Sequence, residues 1–300
     1  ITGVTQVMIV VLFIVLLTKL FSLEPSIALM ALPLILSNPR IEFWQAHTRN
    51  LSLTLSIPAI YVLVKYLQQK NYGMSCISVT SIILLTLAST LNHASGAGAI
   101  IGLLVTGLIV TEFVSNLGGY FTRERNQLRR MSILISLLVL SYWAFTYALH
   151  SIVPRLKTSY WAVWQYLQTG MPSGARPTHT PLQVRQHPVS VITWTIPFSM
   201  VTSYTLLWLK NTLMKCSKIS AFHYLFPVYI GTLALATIPI GFMIKLALPG
   251  EGMEVYLTSP VYLLMLLACP LIISIMSNRK LTHFLVFSSL AILLLSLIHI

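Results

Sequence analysis

The sequence predicts an all-α protein: a polytopic bundle of about ten transmembrane helices (nine to eleven) forming a single domain over residues 1–300. Hydrophobic residues make up 56% of the chain, charged residues make up only 8%, and the mean hydropathy is +0.82. A soluble domain carries about 25% charged residues. Apolar runs recur at lengths near the roughly 20 residues that a helix needs to cross a bilayer, and they lack the alternation that is typical of barrel strands.

The apolar runs predict ten crossings along the chain. Pro33 lies inside the short second run, which predicts either a tilted crossing or a re-entrant segment there. Pro58 interrupts the third run, and Pro227 and Pro239 interrupt the eighth. The predicted spans are about 3–20, 27–37, 51–67, 76–91, 97–114, 132–152, 191–209, 222–248, 261–276 and 283–299.

Two polar stretches are expected to hold helices at the membrane surface. Trp44 and an amphipathic mix of residues predict a short interfacial helix near 40–50. Residues 153–190 are expected to form a long non-cytoplasmic loop, in which residues 157–168 carry Tyr160, Trp161 and Trp164 at helical spacing. This aromatic stripe predicts a second interfacial helix in the headgroup layer.

The basic residues predict which loops face the cytoplasm. The net charge is +13, from 19 Lys and Arg against six acids, all of them Glu. Ten crossings place 12 of the 19 basic residues on one face, which the positive-inside rule makes cytoplasmic. The 91–98 turn, the 38–50 segment and the 153–190 loop then lie outside. Scattered basic residues favour contact with anionic membrane lipids over nucleic-acid binding.

The turn at residues 91–98 is the first candidate site, because it places polar groups between two apolar runs. Gly96 and its neighbours open a helix whose free N–H groups and dipole could hold a phosphate or another anion. His93 and Ser95 could add hydrogen bonds to that anion. The alternative is that these polar residues only cap two helix ends. Gly98 and Gly102 are spaced for close helix packing.

A second candidate site is the 38–50 segment, where Arg40 and Arg49 flank Glu42. Two guanidinium groups suit a diphosphate, since each can bind two oxygens. The alternative is a solvated interfacial helix.

Three further predictions concern an acidic side chain, the cysteines and metal binding. Glu112 lies at the cytoplasmic end of the fifth predicted span, a few turns from four arginines, and is expected to form an ion pair. The three cysteines, Cys76, Cys216 and Cys269, are expected to be buried thiols. No metal site is expected, since no zinc-ligand spacing is present. No cofactor is predicted either, although a divalent metal stays open.

The order of features in residues 1–115 resembles the GT-C superfamily, the multi-spanning glycosyltransferases that use polyprenyl-phosphate-linked sugars. Many prokaryotic members have a polar segment after a proline, then an Arg at the head of a span with Tyr and Lys near its cytoplasmic edge. A following span ends in a short turn of the type Leu-x-His-x-Ser/Thr. The corresponding positions here are Pro39-Arg40, Arg49-Asn50-Leu51, Tyr61 to Lys65, and Leu91-Asn92-His93-Ala94-Ser95.

The resemblance implies transfer of a sugar from a lipid phosphate on the outer face of a prokaryotic plasma membrane. Glu42 would be the nearest candidate base. Members carry a catalytic Asp in the first large outer loop, and this chain contains no Asp, so the sequence is interpreted as a fragment lacking that loop. The residues expected to bind the carrier phosphate are Arg40, Arg49, His93, Ser95 and Gly96.

Two other functions stay open. Proline-interrupted spans are typical of transporters, so a transporter or flippase for a lipid-linked or anionic substrate is the first alternative. The second is a non-catalytic membrane subunit. The sequence gives no indication of the oligomeric state.

Overall fold

A computed structural model describes residues 3–23, 48–68, 75–118, 122–146, 148–172, 188–213, 222–248 and 253–276. Within these ranges the chain forms nine α-helices and no strand, which confirms the all-α prediction. The helices are α1 (Gly3–Leu20), α2 (Thr48–Gln68), α3 (Ser75–Asn92), α4 (Ala94–Gly118), α5 (Thr122–Phe145), α6 (Ala148–Thr169), α7 (Pro188–Leu213), α8 (Phe222–Ala247) and α9 (Met253–Met276).

Five of the described helices are long and apolar enough to cross a membrane, which supports an integral membrane protein. The stretches are Leu51–Gln68, Gly96–Asn116, Arg123–Phe145, Tyr224–Ala247 and Thr258–Met276. Two shorter apolar stretches are Met8–Leu20 and Cys76–Asn92. The other crossings of the expected ten stay predictions, and the predicted spans 27–37 and 283–299 lie outside the described residues.

Helix α9 lies at the centre of the bundle, where it packs against α1, α4, α7 and α8. In its apolar stretch 89% of the residues are buried, against 22% for the stretch in α5. The outward side chains of α5, among them Ile133, Leu137 and Leu140, are exposed. Apolar side chains exposed in this way suit a surrounding of lipid rather than water.

Glycines bring α4 close to its neighbours. A Cβ added at Gly102 would lie 3.0 Å from Leu233 Cδ2 on α8, and one at Gly107 would lie 3.2 Å from Tyr229 Cδ2. Gly98 is less crowded, with Pro260 Cγ of α9 at 3.8 Å. The predicted role of the Gly98 and Gly102 pair in helix packing is confirmed at Gly102, because small residues let neighbouring helices approach.

The structure changes the expected helix bounds in the middle of the chain. Helix α5 begins at Thr122 rather than Ser132, so the basic segment forms its first turns. Arg, Gln, Leu and Met favour helix, and Glu124 in the first turn suits the helix dipole. The helix ends at Phe145, and residues 153–169 of the expected long loop belong to α6. A helix therefore covers the aromatic stripe at 157–168, and its position at the membrane surface stays a prediction.

Two side-chain predictions have clear outcomes. The ion pair of Glu112 is confirmed, with Arg125 Nε 3.6 Å from Glu112 Oε2. Cys269 is a buried free thiol as expected, but the burial of Cys76 was wrong: it is an exposed free thiol in the first turn of α3. The apolar residues of α3 pack on other helices by a face of α3 that does not include Cys76. Cys216 lies outside the described residues.

One buried hydrogen bond joins α4 to α8, and we expect it to contribute measurably to stability. Thr111 Oγ1 and Tyr229 OH are 2.7 Å apart. Tyr229→Phe should lower the free energy of unfolding in detergent by about 0.6–1 kcal/mol, the usual net value of a hydrogen bond between packed helices. Thermal unfolding of the purified protein would measure the change.

Tyr204→Phe is the matched control, because its hydroxyl makes a longer bond of 3.3 Å to the Tyr224 carbonyl oxygen. It should cost less than Tyr229→Phe. Combining Tyr229→Phe with Thr111→Val should cost less than the two single variants added together, since both remove one shared bond. Strictly additive losses would contradict the contact.

Candidate functional site

The turn between α3 and α4 is shorter than the sequence predicts. Helix α3 continues to Asn92 and α4 begins at Ala94, so His93 alone separates them. The Asn92 Nδ2 group donates to the Ala88 carbonyl oxygen at 2.7 Å, and the His93 N–H donates to the Ser89 carbonyl oxygen at 3.2 Å. The His93 N–H thereby satisfies one of the four carbonyl groups that the C-terminus of α3 leaves without an intrahelical partner.

Ser52 of α2 holds this turn in place. Its hydroxyl oxygen lies 2.6 Å from the His93 carbonyl oxygen and 2.8 Å from the Ser89 carbonyl oxygen, which share its one proton. The same oxygen accepts a hydrogen bond of 3.0 Å from the Gly96 N–H. One buried side chain of α2 thus binds the end of α3 and the beginning of α4.

Ser89 completes the contact from the opposite side. Its hydroxyl donates to the Ser52 carbonyl oxygen at 2.7 Å, and the two hydroxyl oxygens are 3.3 Å apart. Both serines are fully buried. Serine side chains that bond across helices are a common way to join spans in a medium where an unbonded polar group is costly.

Gly96 lies where these serines leave no space for a side chain. A Cβ at this position would collide with Ser89 Oγ and would lie 2.6 Å from the Ser52 carbonyl oxygen. Only glycine permits this approach, because both atoms are held by hydrogen bonds to neighbouring helices. We refer to Ser52, Ser89 and Gly96 as the serine–glycine contact.

The structure brings two of the predicted site segments together. Arg49 lies in the first turn of α2, about one helical turn before Ser52, and Ser52 bonds directly to His93. The backbone of Arg49 and the 91–98 turn therefore lie at the same corner of the bundle. His93 is half-buried there.

The other predicted residues have different outcomes. The Gly96 N–H, expected as an anion donor, is already bonded to Ser52. Ser95 lies in the first turn of α4, and its side chain is outside the described part of the structure. Arg40 and Glu42 also lie outside the described residues. Among the residues that are described, no group of three or more His, Cys, Asp or Glu side chains lies together as a metal site would require.

Sequence reasoning did not identify Ser52 or Ser89 as parts of this corner. Each is a single serine within an apolar run, as are several other serines of the chain. The signal in the sequence was a serine about one turn from a helix end. Its significance depends on a glycine of a neighbouring helix facing it, and the sequence does not show which helices are neighbours.

Comparisons with protein-family models, with curated proteins and with solved structures give no match to this chain.

The serine–glycine contact predicts that Gly96→Ala is strongly destabilising. Overpacking a close contact typically costs about 1–3 kcal/mol, and here the added methyl meets backbone as well as side-chain oxygens. The melting temperature of the purified protein in detergent should fall by several degrees.

Gly98→Ala is the matched control, two residues further along the same helix. Its nearest neighbour is 3.8 Å away, so the alanine should be neutral or slightly stabilising through its better helix propensity. Equal melting temperatures for the two variants would contradict the close approach at Gly96.

Proposed function

We propose that this chain is a multi-pass membrane glycosyltransferase, or a fragment of one, that handles a polyprenyl-phosphate-linked sugar. The start of α2 and the 91–98 turn form the corner that binds the carrier phosphate. The observation that supports this most directly is the 2.6 Å contact between Ser52 Oγ and the His93 carbonyl oxygen. It joins the helix that carries Arg49 to the turn that carries His93.

The residues of this corner suit a phosphate leaving group. Breaking the bond between a sugar C1 and a carrier phosphate oxygen leaves negative charge on the phosphate, while the acceptor oxygen bonds to C1 and gives up its proton. Arg49 would stabilise that charge with two parallel N–H donors, and His93 would add a hydrogen bond. Glu42 is the proposed base for the proton, and Arg40 is a second cation for the phosphate.

Fixed backbone geometry favours this role for the turn. Charge stabilisation is effective when the donors are held in place before the reaction. The serine–glycine contact holds the His93 backbone against α2 by two buried serines. Gly96 then allows the turn to lie close to α2. Ser95 forms part of the boundary of the phosphate site.

The proposal includes the position of the chain in the membrane. Ten spans place the 91–98 turn and the 153–190 region on the non-cytoplasmic face of a prokaryotic plasma membrane. Helix α6 lies in the headgroup layer of that face, supported by exposed Tyr160, Trp161 and Trp164 beside exposed Arg155 and Lys157. Aromatic rings and basic side chains of this kind are typical of membrane interfaces.

A transporter or flippase is the second candidate function. Prolines lie inside α2, α6, α7, α8 and α9, and the last two helices contain two each. A proline inside a span can interrupt the helix, and interrupted helices build substrate sites near the middle of a membrane. This alternative predicts that a labelled polyprenyl-phosphate sugar moves across the membrane of proteoliposomes without transfer of the sugar to an acceptor.

Arg49→Ala and His93→Ala should each weaken binding of a polyprenyl phosphate by about tenfold. This loss corresponds to about 1.4 kcal/mol, close to the lower end of the usual range for a hydrogen bond to a charged group. Native mass spectrometry of the purified protein with a polyprenyl phosphate would measure the dissociation constants. The rate of sugar transfer from a labelled polyprenyl-phosphate sugar should fall by a similar factor in each variant.

Arg155→Ala is the control, because it removes an exposed arginine from α6 without touching the corner. Its binding should equal that of the wild type. Wild-type binding by both the Arg49 and His93 variants would remove the corner from carrier recognition. Carrier binding without transfer or transport would favour the non-catalytic subunit.

A further inference from the structure

A pocket of about 450 Å³ lies between α4 and α5, far from the 91–98 turn. Its lining is Leu108, Ile109, Glu112 and Phe113 of α4 together with Arg129 of α5. Gly96 and Leu108 are twelve residues apart on one helix, which is about 18 Å along its axis. The pocket is therefore a separate site, and nothing proposed for it depends on the proposed function.

Two contacts fix how α4 and α5 lie beside each other at this pocket. Leu128 Cδ2 would be 3.4 Å from a Cβ on Gly107, and Arg125 Nε lies 3.6 Å from Glu112 Oε2. Antiparallel helices in this register place Arg129 level with Leu108. Arg129 is thus about one turn, or about 6 Å, closer to the middle of the membrane than the Arg125 and Glu112 ion pair.

The charges around the pocket are not balanced. The first turns of α5 carry four arginines, and the nearby acids are Glu112 and Glu124. Glu112 pairs with Arg125, whereas Arg129 makes no ion pair within the part of the chain that the structure describes. An arginine at this depth in a lipid-facing helix is costly unless an anion reaches it.

The other walls of the pocket are apolar and open to the lipid side. Ile109 is 57% exposed and Phe113 is 40% exposed, and α5 continues the apolar surface with exposed Ile133 and Leu137. A cation at the end of an exposed apolar surface that continues toward the middle of the membrane fits a molecule that has an anionic head and hydrocarbon chains. A free inorganic anion would gain nothing from these apolar walls.

We propose that this pocket binds the headgroup of an anionic phospholipid, with its phosphodiester on Arg129 beside Ile109 and Phe113. An acyl chain then runs along the exposed Ile133 and Leu137 of α5, toward the middle of the membrane. Charge complementarity selects an acidic lipid, because the local excess of arginine is left uncompensated by the protein. The Glu112 and Arg125 pair borders the pocket and keeps the Arg125 guanidinium from competing for the same phosphate.

The test is a titration of the purified protein with dioleoylphosphatidylglycerol or dioleoylphosphatidylcholine, followed by native mass spectrometry. The wild type should bind the first phosphatidylglycerol more tightly than phosphatidylcholine. Arg129→Gln should raise the phosphatidylglycerol dissociation constant by about five- to tenfold, as expected for one charge-assisted contact. Its phosphatidylcholine binding should not change.

Arg130→Gln is the matched control, since it removes the same charge from the next residue of α5, which does not line the pocket. It should change phosphatidylglycerol binding by less than about twofold, because an exposed charge acts only weakly at a distance. Equal losses in the two variants would overturn the proposal in favour of a general charge effect. So would wild-type binding by Arg129→Gln, or equal wild-type affinities for the two lipids.

Ile109→Trp tests the pocket without changing any charge. The larger side chain should fill the groove and weaken phosphatidylglycerol binding as Arg129→Gln does, so the proposal stays testable if the arginine variant does not fold. Unchanged binding in the filled variant would overturn it. Millimolar inorganic phosphate should not displace the lipid, and displacement would show that the site binds a free anion instead.

Discussion

Gly96 has no side chain, and this allows α2, α3 and α4 to meet at one point. Ser52 and Ser89 exchange hydrogen bonds across the contact, and the Gly96 N–H donates to Ser52 Oγ. A methyl group at Gly96 would displace both serines. Because helices in lipid gain little from apolar burial alone, such close polar contacts have a large share in fixing their arrangement. The single-residue turn at His93 follows from this contact, since the end of α3 and the beginning of α4 are both bound to α2.

Glycines also bring helices into close contact elsewhere in the bundle. Gly102 and Gly107 bring α4 against α8, and α8 packs on the buried α9. Gly231 of α8 in turn lies against Thr205 and the Val201 carbonyl oxygen of α7. Large apolar side chains point outward on α5 and α6 instead. Glycines therefore set the closest approaches between helices, while large side chains such as Tyr229 and Tyr262 fill the interior and the exposed apolar residues are suited to lipid.

The sequence predicts the class of fold and several positions within it, but not the contacts that form the site. Composition and apolar runs are sufficient for an all-α membrane bundle, and the ion pair of Glu112 follows from nearby arginines. The start of α5 at Thr122 was missed because a charged segment of good helix formers has the composition of a loop in a membrane protein. The serine–glycine contact could not be predicted, since it depends on which helices are neighbours. The roles of Arg49 and His93 stay predictions, although the structure places their backbones at one corner.

Carrier binding at that corner is most directly measured by photo-crosslinking. A polyprenyl phosphate analogue with a diazirine beside the phosphate would be added to the purified protein, and the labelled peptides would be identified by mass spectrometry. Labelling is expected within residues 48–53 and 91–98, and excess unlabelled carrier should suppress it. Labelling confined to other segments, or labelling that the unlabelled carrier does not reduce, would contradict the assignment of this corner to the carrier phosphate.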